Sequence, residues 1–267
     1  MLKSGQIKSH VKGATSMNLK EKAVSGEKIF GTMLRIQRSP AIAYAAKNAG
    51  LDFVMYDCEH SNYSMETLHD LFVTGNALGL GGFLRVPELQ KSYISRALDQ
   101  GATGVMVPML NNAEMAKELV SWSKYTPLGD RGFTACGAHS NYQGGKHLEV
   151  MAEGNARTIS IAQIESTEAL ENIDAIAATD GLDALLIDPN DLSISLGIPG
   201  DLTNPIELDA IRSVMTACKR HGKLFGMHAG PGLLKMFYDD LDIVMMKNDV
   251  DFLTDGFRSI KKQFSVE

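Results

Sequence analysis

The chain is poor in the features that would tie it to several function classes. Three cysteines in 267 residues, Cys58, Cys136 and Cys218, are too few and too scattered for a disulfide framework or a thiolate zinc site. No Lys/Arg block stands out, and 26 basic against 32 acidic residues leave a net charge of −6, so the electrostatic footprint of a nucleic-acid binder is missing. No apolar run approaches the roughly 18 residues needed to span a membrane, and no signal-peptide pattern opens the chain. No glycine-rich G-x-G-x-x-G follows the first β-like run, which counts against an open dinucleotide-binding sheet. Linkers, low-complexity stretches and internal repeats are also lacking. These absences leave a soluble, cytoplasmic protein with neither nucleic acid nor membrane as partner. The polar residues 1–18 read as a flexible arm, and residues 19–267 as one catalytic domain.

What is present is an alternation. Short apolar runs fall at about 28–34, 53–57, 82–86, 104–107, 159–164, 183–187, 223–227 and 242–247. Continuous apolar runs of this length suit parallel strands buried on both faces. Helical patterns lie between them. "SPAIAYAAKNAG" offers Ser39 as N-cap, Pro40 at the first helical position and Gly50 after the end. "SMETLHDLFVTGNALG" starts on Ser64 with Glu66 in its first turn, and "NPIELDAIRSVMTACKRHG" runs from Asn204-Pro205 to a basic close before Gly222. Eight strands with intervening helices predict an α/β fold, a closed (β/α)₈ TIM barrel, for which this length is ordinary. The connection from 109 to 157 holds a helix, "NAEMAKELVSW", then a Gly-rich stretch expected to act as a lid, a site wall or a subunit contact.

Barrel enzymes build their sites at the C-terminal ends of the strands. There the sequence places Arg35; Asp57, Cys58, Glu59 and His60; Arg85; Gln163 and Glu165; Asp188, Asn190 and Asp191; His228; and Lys247, Asn248 and Asp249. The opposite ends look plainer, mostly Gly and Asp turns. Each residue has a modest reading. Asp191 could cap a short helix beginning "LSISLG", and Glu165 could serve a helix first turn. His60 could be a surface imidazole, Arg85 a partner for a barrel carboxylate, His228 and His139 structural, and Cys58 a small apolar filler. Convergence favours a site instead. Two carboxylates from neighbouring strands, at one barrel end, can grip one hard divalent cation such as Mg²⁺ or Mn²⁺.

Several ordered motifs, "YDCEHSNYSMETL", "RVP", "GATGVMVPMLNNAEMAKELV", "SKYTPLGDRGF", "AQIESTEALENIDAI" and "DPNDLSISLGIPG", resemble the signature of the HpcH/HpaI aldolase family, class II metal-dependent pyruvate aldolases of the phosphoenolpyruvate/pyruvate-barrel superfamily. The resemblance covers roughly residues 19 to 262. It implies Glu165 and Asp191 as metal ligands, with Mg²⁺, Mn²⁺ or Co²⁺ as the ion. It implies Gln163 as an aid in positioning bound pyruvate or water, and Arg85 against the keto or enolate oxygen. It implies His60, oriented by Asp57, as acid/base, and the backbone N–H groups of Asn190 and Asp191 as receivers of the pyruvate carboxylate. It further implies a homo-oligomer, commonly a hexamer, with a C-terminal helix exchanged between subunits. The activity so implied is cleavage of a 4-hydroxy-2-oxo acid to pyruvate and an aldehyde, through an enolate stabilised by a metal and by Arg85. A citramalyl- or malyl-CoA-type lyase and a non-catalytic metal–oxoacid-binding barrel are the rival readings. A Schiff-base aldolase would need a desolvated lysine, for which Lys247 is the strand-end candidate. Two departures from the family pattern stand out: Asp188 where Gly is usual, and Lys247-Asn248 at the end of the eighth strand. If their side chains meet, Lys247 offsets Asp188.

Overall fold

A computed structural model describes residues 18–264. Eight parallel strands close into one barrel in sequence order: β1 (Ile29–Leu34), β2 (Phe53–Asp57), β3 (Gly81–Arg85), β4 (Gly104–Val107), β5 (Ile159–Ile164), β6 (Ala184–Ile187), β7 (Leu224–His228) and β8 (Ile243–Asn248). β1 and β8 complete the circle with a register shift between Gly31 and Met33. Helices separate the strands, as the alternation predicts. The expected arm falls almost wholly on residues 1–17, outside the described residues; Asn18 caps the helix Leu19–Val24.

The barrel interior is a packed column of Met33, Phe53, Met55, Phe83, Met106, Ile161, Leu186 and Met245. Alternate residues of each strand point inward, so this column and the outer shell beneath the helices form separate apolar clusters. Phe53 and Phe83 meet edge to face at 5.0 Å. Gly31 makes room for that pair, since a Cβ there would sit 2.3 Å from the Phe53 ring. Small and large residues thus alternate around the interior, as a narrow barrel requires.

The helix signals hold unevenly. Ser64 caps Met65–Ala77 through Thr67 N–H at 3.1 Å. Asn204 caps Pro205–His221, which ends on Gly222 in the left-handed region. The helix after β1 begins at Ile42, not at Pro40. Ser39 and Pro40 form a turn ahead of it, and the Ser39 hydroxyl accepts only the nearby Ala41 N–H. The stretch after the helix Ala113–Ser123 is more structured than expected, carrying a 3₁₀ turn at Ala138–Ser140 and a helix His147–Arg157. It does not wall the C-terminal mouth. Arg131, His139 and Arg157 line a cavity with Gly81 and Thr103, at the N-terminal ends of the strands.

Those N-terminal ends are not plain turns. Asp52, Asp183 and Asp242, each just before or at a strand start, accept the backbone N–H of Phe30, Ser160 and Phe225 at 3.0, 2.8 and 2.8 Å. Asp183 also takes the ammonium groups of Lys124 at 2.6 Å and Lys20 at 2.5 Å. Lys124, 1 % exposed, additionally donates to Thr158 O. Burial pushes its pKa down to about 8, against the pull of Asp183. This ion cluster ties together three segments of the barrel base that are far apart in sequence.

Candidate active site

At the other end, a cavity of about 360 Å³ opens between the strand termini, lined by Arg35, His60, Arg85, Asp188, Asp191, His228 and Lys247 among others. On one side β2 and β3 supply a charged lattice. Asp57, fully buried, accepts Arg85 Nε at 3.0 Å on Oδ1, while Arg85 Nη2 reaches Oδ2 at 2.9 Å. This is the forked pairing for which a guanidinium is suited. Arg85 Nη1 also meets Glu59 at 3.0 Å. The Arg85 pairing, with N–H donation from Glu59 and His60, outweighs burial and holds the Asp57 carboxyl below the usual range.

The lattice corrects one expected role. Asp57 receives the backbone N–H of His60 at 3.2 Å, not its imidazole. The carboxylate beside the imidazole is Glu59, with Oε2 3.7 Å from Nε2. Asp57 therefore positions Arg85 and the turn after β2, and Glu59 is the residue that faces the His60 ring. The ring is half exposed at the cavity rim, with 52 % of the side chain accessible.

Across the cavity, β5 and β6 carry the acids. Glu165, 3 % exposed, accepts Met109 N–H at 2.6 Å on Oε1 and the Gln163 amide on Oε2. Met109, just past β4, has a positive φ of 49°, an uncommon conformation for a side chain of this size that costs about 1–3 kcal/mol. That strain aims its N–H at Glu165. Asp191 lies in the first turn of the helix Pro189–Ser195. The cap of that helix is Asp188, whose Oδ1 accepts Asn190 N–H at 3.1 Å, so the reading of Asp191 as cap gives way to Asp188 with Pro189 following. A carboxylate arriving at the Asn190 N–H must share it with Asp188.

Glu165, Asp188 and Asp191 each bring one oxygen to within 4.8 Å of the others. Burial raises the Glu165 pKa to about 7, with Asp188 adding to it, and burial followed by Asp188 raises that of Asp191. The Gln163 Oε1, buried beside Glu165, has no hydrogen-bond partner among the described residues. An all-oxygen, like-charged donor set with an unused acceptor fits a hard divalent cation. Lys247 does not neutralise it. Held at φ 61°, it pairs its ammonium with Asp255 at 2.7 Å. Asp249, one of the polar residues at the end of β8, is a backbone staple, accepting the N–H groups of Arg35, Ile36 and Gln37 at 3.0, 2.9 and 2.8 Å.

A closed parallel barrel with its acids, guanidinium and imidazole gathered at the C-terminal mouth has the layout of a (β/α)₈ enzyme, and the relatives that follow make its class that of the carbon–carbon lyases. Residues 34–230 match the HpcH/HpaI aldolase/citrate lyase family, and the chain belongs to it. It is 35 % identical over 204 residues, 76 % of either chain, to a 2-keto-3-deoxy-L-rhamnonate aldolase of Klebsiella pneumoniae. It is 34 % identical over 216 residues to a hydroxypyruvate/pyruvate aldolase of Roseobacter denitrificans, covering 79 % of this chain and 82 % of that one. The crystal structure of an HpcH/HpaI aldolase from Desulfitobacterium hafniense superposes with a TM-score of 0.88 at 30 % identity, over 93 % of this chain and 97 % of the other.

Proposed function

We propose that the protein cleaves a 4-hydroxy-2-oxo acid to pyruvate and an aldehyde, with a divalent cation, Mg²⁺ or Mn²⁺ and in their place Co²⁺, held by Glu165 and Asp191. The observation that carries this reading is the approach of carboxylate oxygens from the ends of β5 and β6 to within 4.8 Å. When bound, the cation supplies Lewis-acid stabilisation of the negative charge that develops on the pyruvate fragment.

The chain's own residues supply the rest. Arg85, fixed by Asp57 and Glu59, presents a preorganised positive charge for the C2 oxygen of the substrate, and its rigidity means no reorganisation accompanies the reaction. Gln163 positions the oxo acid, its amide braced on Glu165. The N–H groups of Asn190 and Asp191 face the pyruvate carboxylate, the first of them shared with Asp188. His60 accepts the C4 hydroxyl proton at Nε2, with Glu59 steadying the charged ring. A Schiff-base route lacks its lysine at the mouth among the described residues. Lys247 is paired with Asp255, and the desolvated Lys124 sits at the opposite end of the barrel.

The fold also supports assembly. The helix Asp249–Lys262 buries only Asp249 and leaves Phe252, Leu253, Phe257 and Ile260 exposed, Phe257 to 68 %. A face of that kind suits a second copy of the chain, in a homo-oligomer with this helix exchanged and a hexamer as the expected size. No described helix is long and apolar enough to cross a membrane, and we place the enzyme in the cytoplasm. The test of function is pyruvate release from a panel of 4-hydroxy-2-oxo acids, read by coupling to lactate dehydrogenase with Mg²⁺ or Mn²⁺. Activity removed by EDTA and restored by Mn²⁺ supports the proposal. Turnover that survives EDTA, or metal binding without turnover on any substrate, overturns it.

A further inference from the structure

Glu165 and Asp191 suffice to hold a cation in the aldolase site, but a third carboxylate stands beside them. We propose that Asp188 is itself a ligand of the divalent cation, so that three acidic side chains hold the ion, an assignment that rests on the aldolase reading of the mouth.

Asp188 closes β6 as the N-cap of the helix Pro189–Ser195, using Oδ1 for the Asn190 N–H at 3.1 Å. Capping explains an oxygen at this position but not a charge, because Asn or Ser caps about as well. The charge faces acids. An oxygen of Asp188 lies within 4.8 Å of one from Glu165 and one from Asp191. Of the basic groups around it, Arg85 is already committed to Asp57 and Glu59, burial works against a charge on His228, and Lys247 pairs with Asp255. A separate observation locates the deficit in the same place. The buried Gln163 gives its amide N–H to Glu165 and leaves Oε1 without a donor. A wholly buried acceptor that lacks a donor is destabilising, and one cation relieves it together with the repulsion among the acids. A third anionic oxygen tightens the grip on a hard cation and fills one more coordination position, leaving fewer for substrate.

The full chain, stripped with EDTA and titrated with Mn²⁺ by isothermal calorimetry and electron paramagnetic resonance, separates the possibilities. Asp188→Asn keeps the cap and removes the charge. The expected result is one Mn²⁺ per wild-type chain, a Kd at least tenfold weaker in Asp188→Asn with an unchanged metal-free Tm, and a loss at least as large in Glu165→Gln. Asp188→Ser, which also caps, gives the same comparison should the Asn variant not fold. A Kd within twofold of wild type in both Asp188 variants, beside a clear loss in Glu165→Gln, leaves Asp188 a cap alone and overturns the inference. No binding by the wild type, or none lost in Glu165→Gln, overturns the two-carboxylate site and the inference with it.

Discussion

The two ends of the barrel bury charge in opposite ways. At the N-terminal end, Asp183 is surrounded by Lys124, Lys20 and donors from Ser160. Asp183 meets opposite charge on two ammonium groups, and its carboxyl is held below its ordinary range, the lysines prevailing over burial. At the C-terminal end, Glu165, Asp188 and Asp191 face one another, and burial with mutual repulsion raises Glu165 and Asp191. A cluster complete in itself holds segments together; a cluster missing its counter-charge is built to receive something. Left-handed backbone in non-glycine residues occurs beside both ends, at Met109 and Lys247 near the mouth and at Asn141 and Tyr142 near the base.

The largest expected difference between the ends comes from Lys124→Met. It leaves Asp183 with a weakened partner set in a buried place and should cost about 3–5 kcal/mol of stability. For a chain of this size that is on the order of 10 °C in Tm, with kcat unchanged in metal-saturated enzyme. A Tm drop in scanning calorimetry with normal pyruvate release confirms the base as scaffold. Loss of activity in the folded variant breaks the comparison.

Glu165→Gln should do the reverse. Removing one of several like charges leaves the metal-free Tm equal or higher, while turnover falls by about 10²–10³-fold or more. His60→Ala comes next, with turnover reduced by about 10²-fold or more and Mn²⁺ affinity within twofold of wild type. A rate near wild type would leave the proton-transfer role vacant.

The smallest effect is expected at Glu207, buried in the first turn of the helix Pro205–His221 with neither carboxyl oxygen hydrogen-bonded. Burial, helped by the charge of Asp188, raises its pKa to about 7. The native state therefore keeps a proton that the unfolded chain, titrating near 4.5, has released. Stability falls as pH rises from 4.5 to about 7 and stays lowered above that. Glu207→Leu should raise stability by on the order of 2 kcal/mol at pH 8 and much less at pH 4. Urea unfolding at both pH values checks this, and an equal gain at both would mean that the carboxyl charge is not the cause.

How much of the molecule is legible in its residues depends on which interactions are local. The eight strands are legible within about a residue at each end because parallel strands buried on both faces are unbroken apolar runs. Cap–proline signals are less dependable. Asn204-Pro205 starts a helix where the pattern says, Ser39-Pro40 does not, and Asp188-Pro189 starts one three residues ahead of a cap at Asp191. The strand-end rule gathers the site residues in one mouth, yet it cannot pair them. Whether Asp57 or Glu59 faces the His60 ring depends on the turn after β2, where Asp57 is drawn inward by Arg85. The base of the barrel is illegible for a different reason. Lys20, Lys124 and Asp183 come from three distant segments, and nothing in their spacing announces the meeting.

The most direct measurement is anomalous diffraction from a crystal of the protein soaked in Mn²⁺. The account predicts a single strong peak in the C-terminal mouth, at about 2.0–2.2 Å from carboxylate oxygens of Glu165 and Asp191. A peak at the lysine-rich base, or none anywhere while the same crystals release pyruvate, would contradict it.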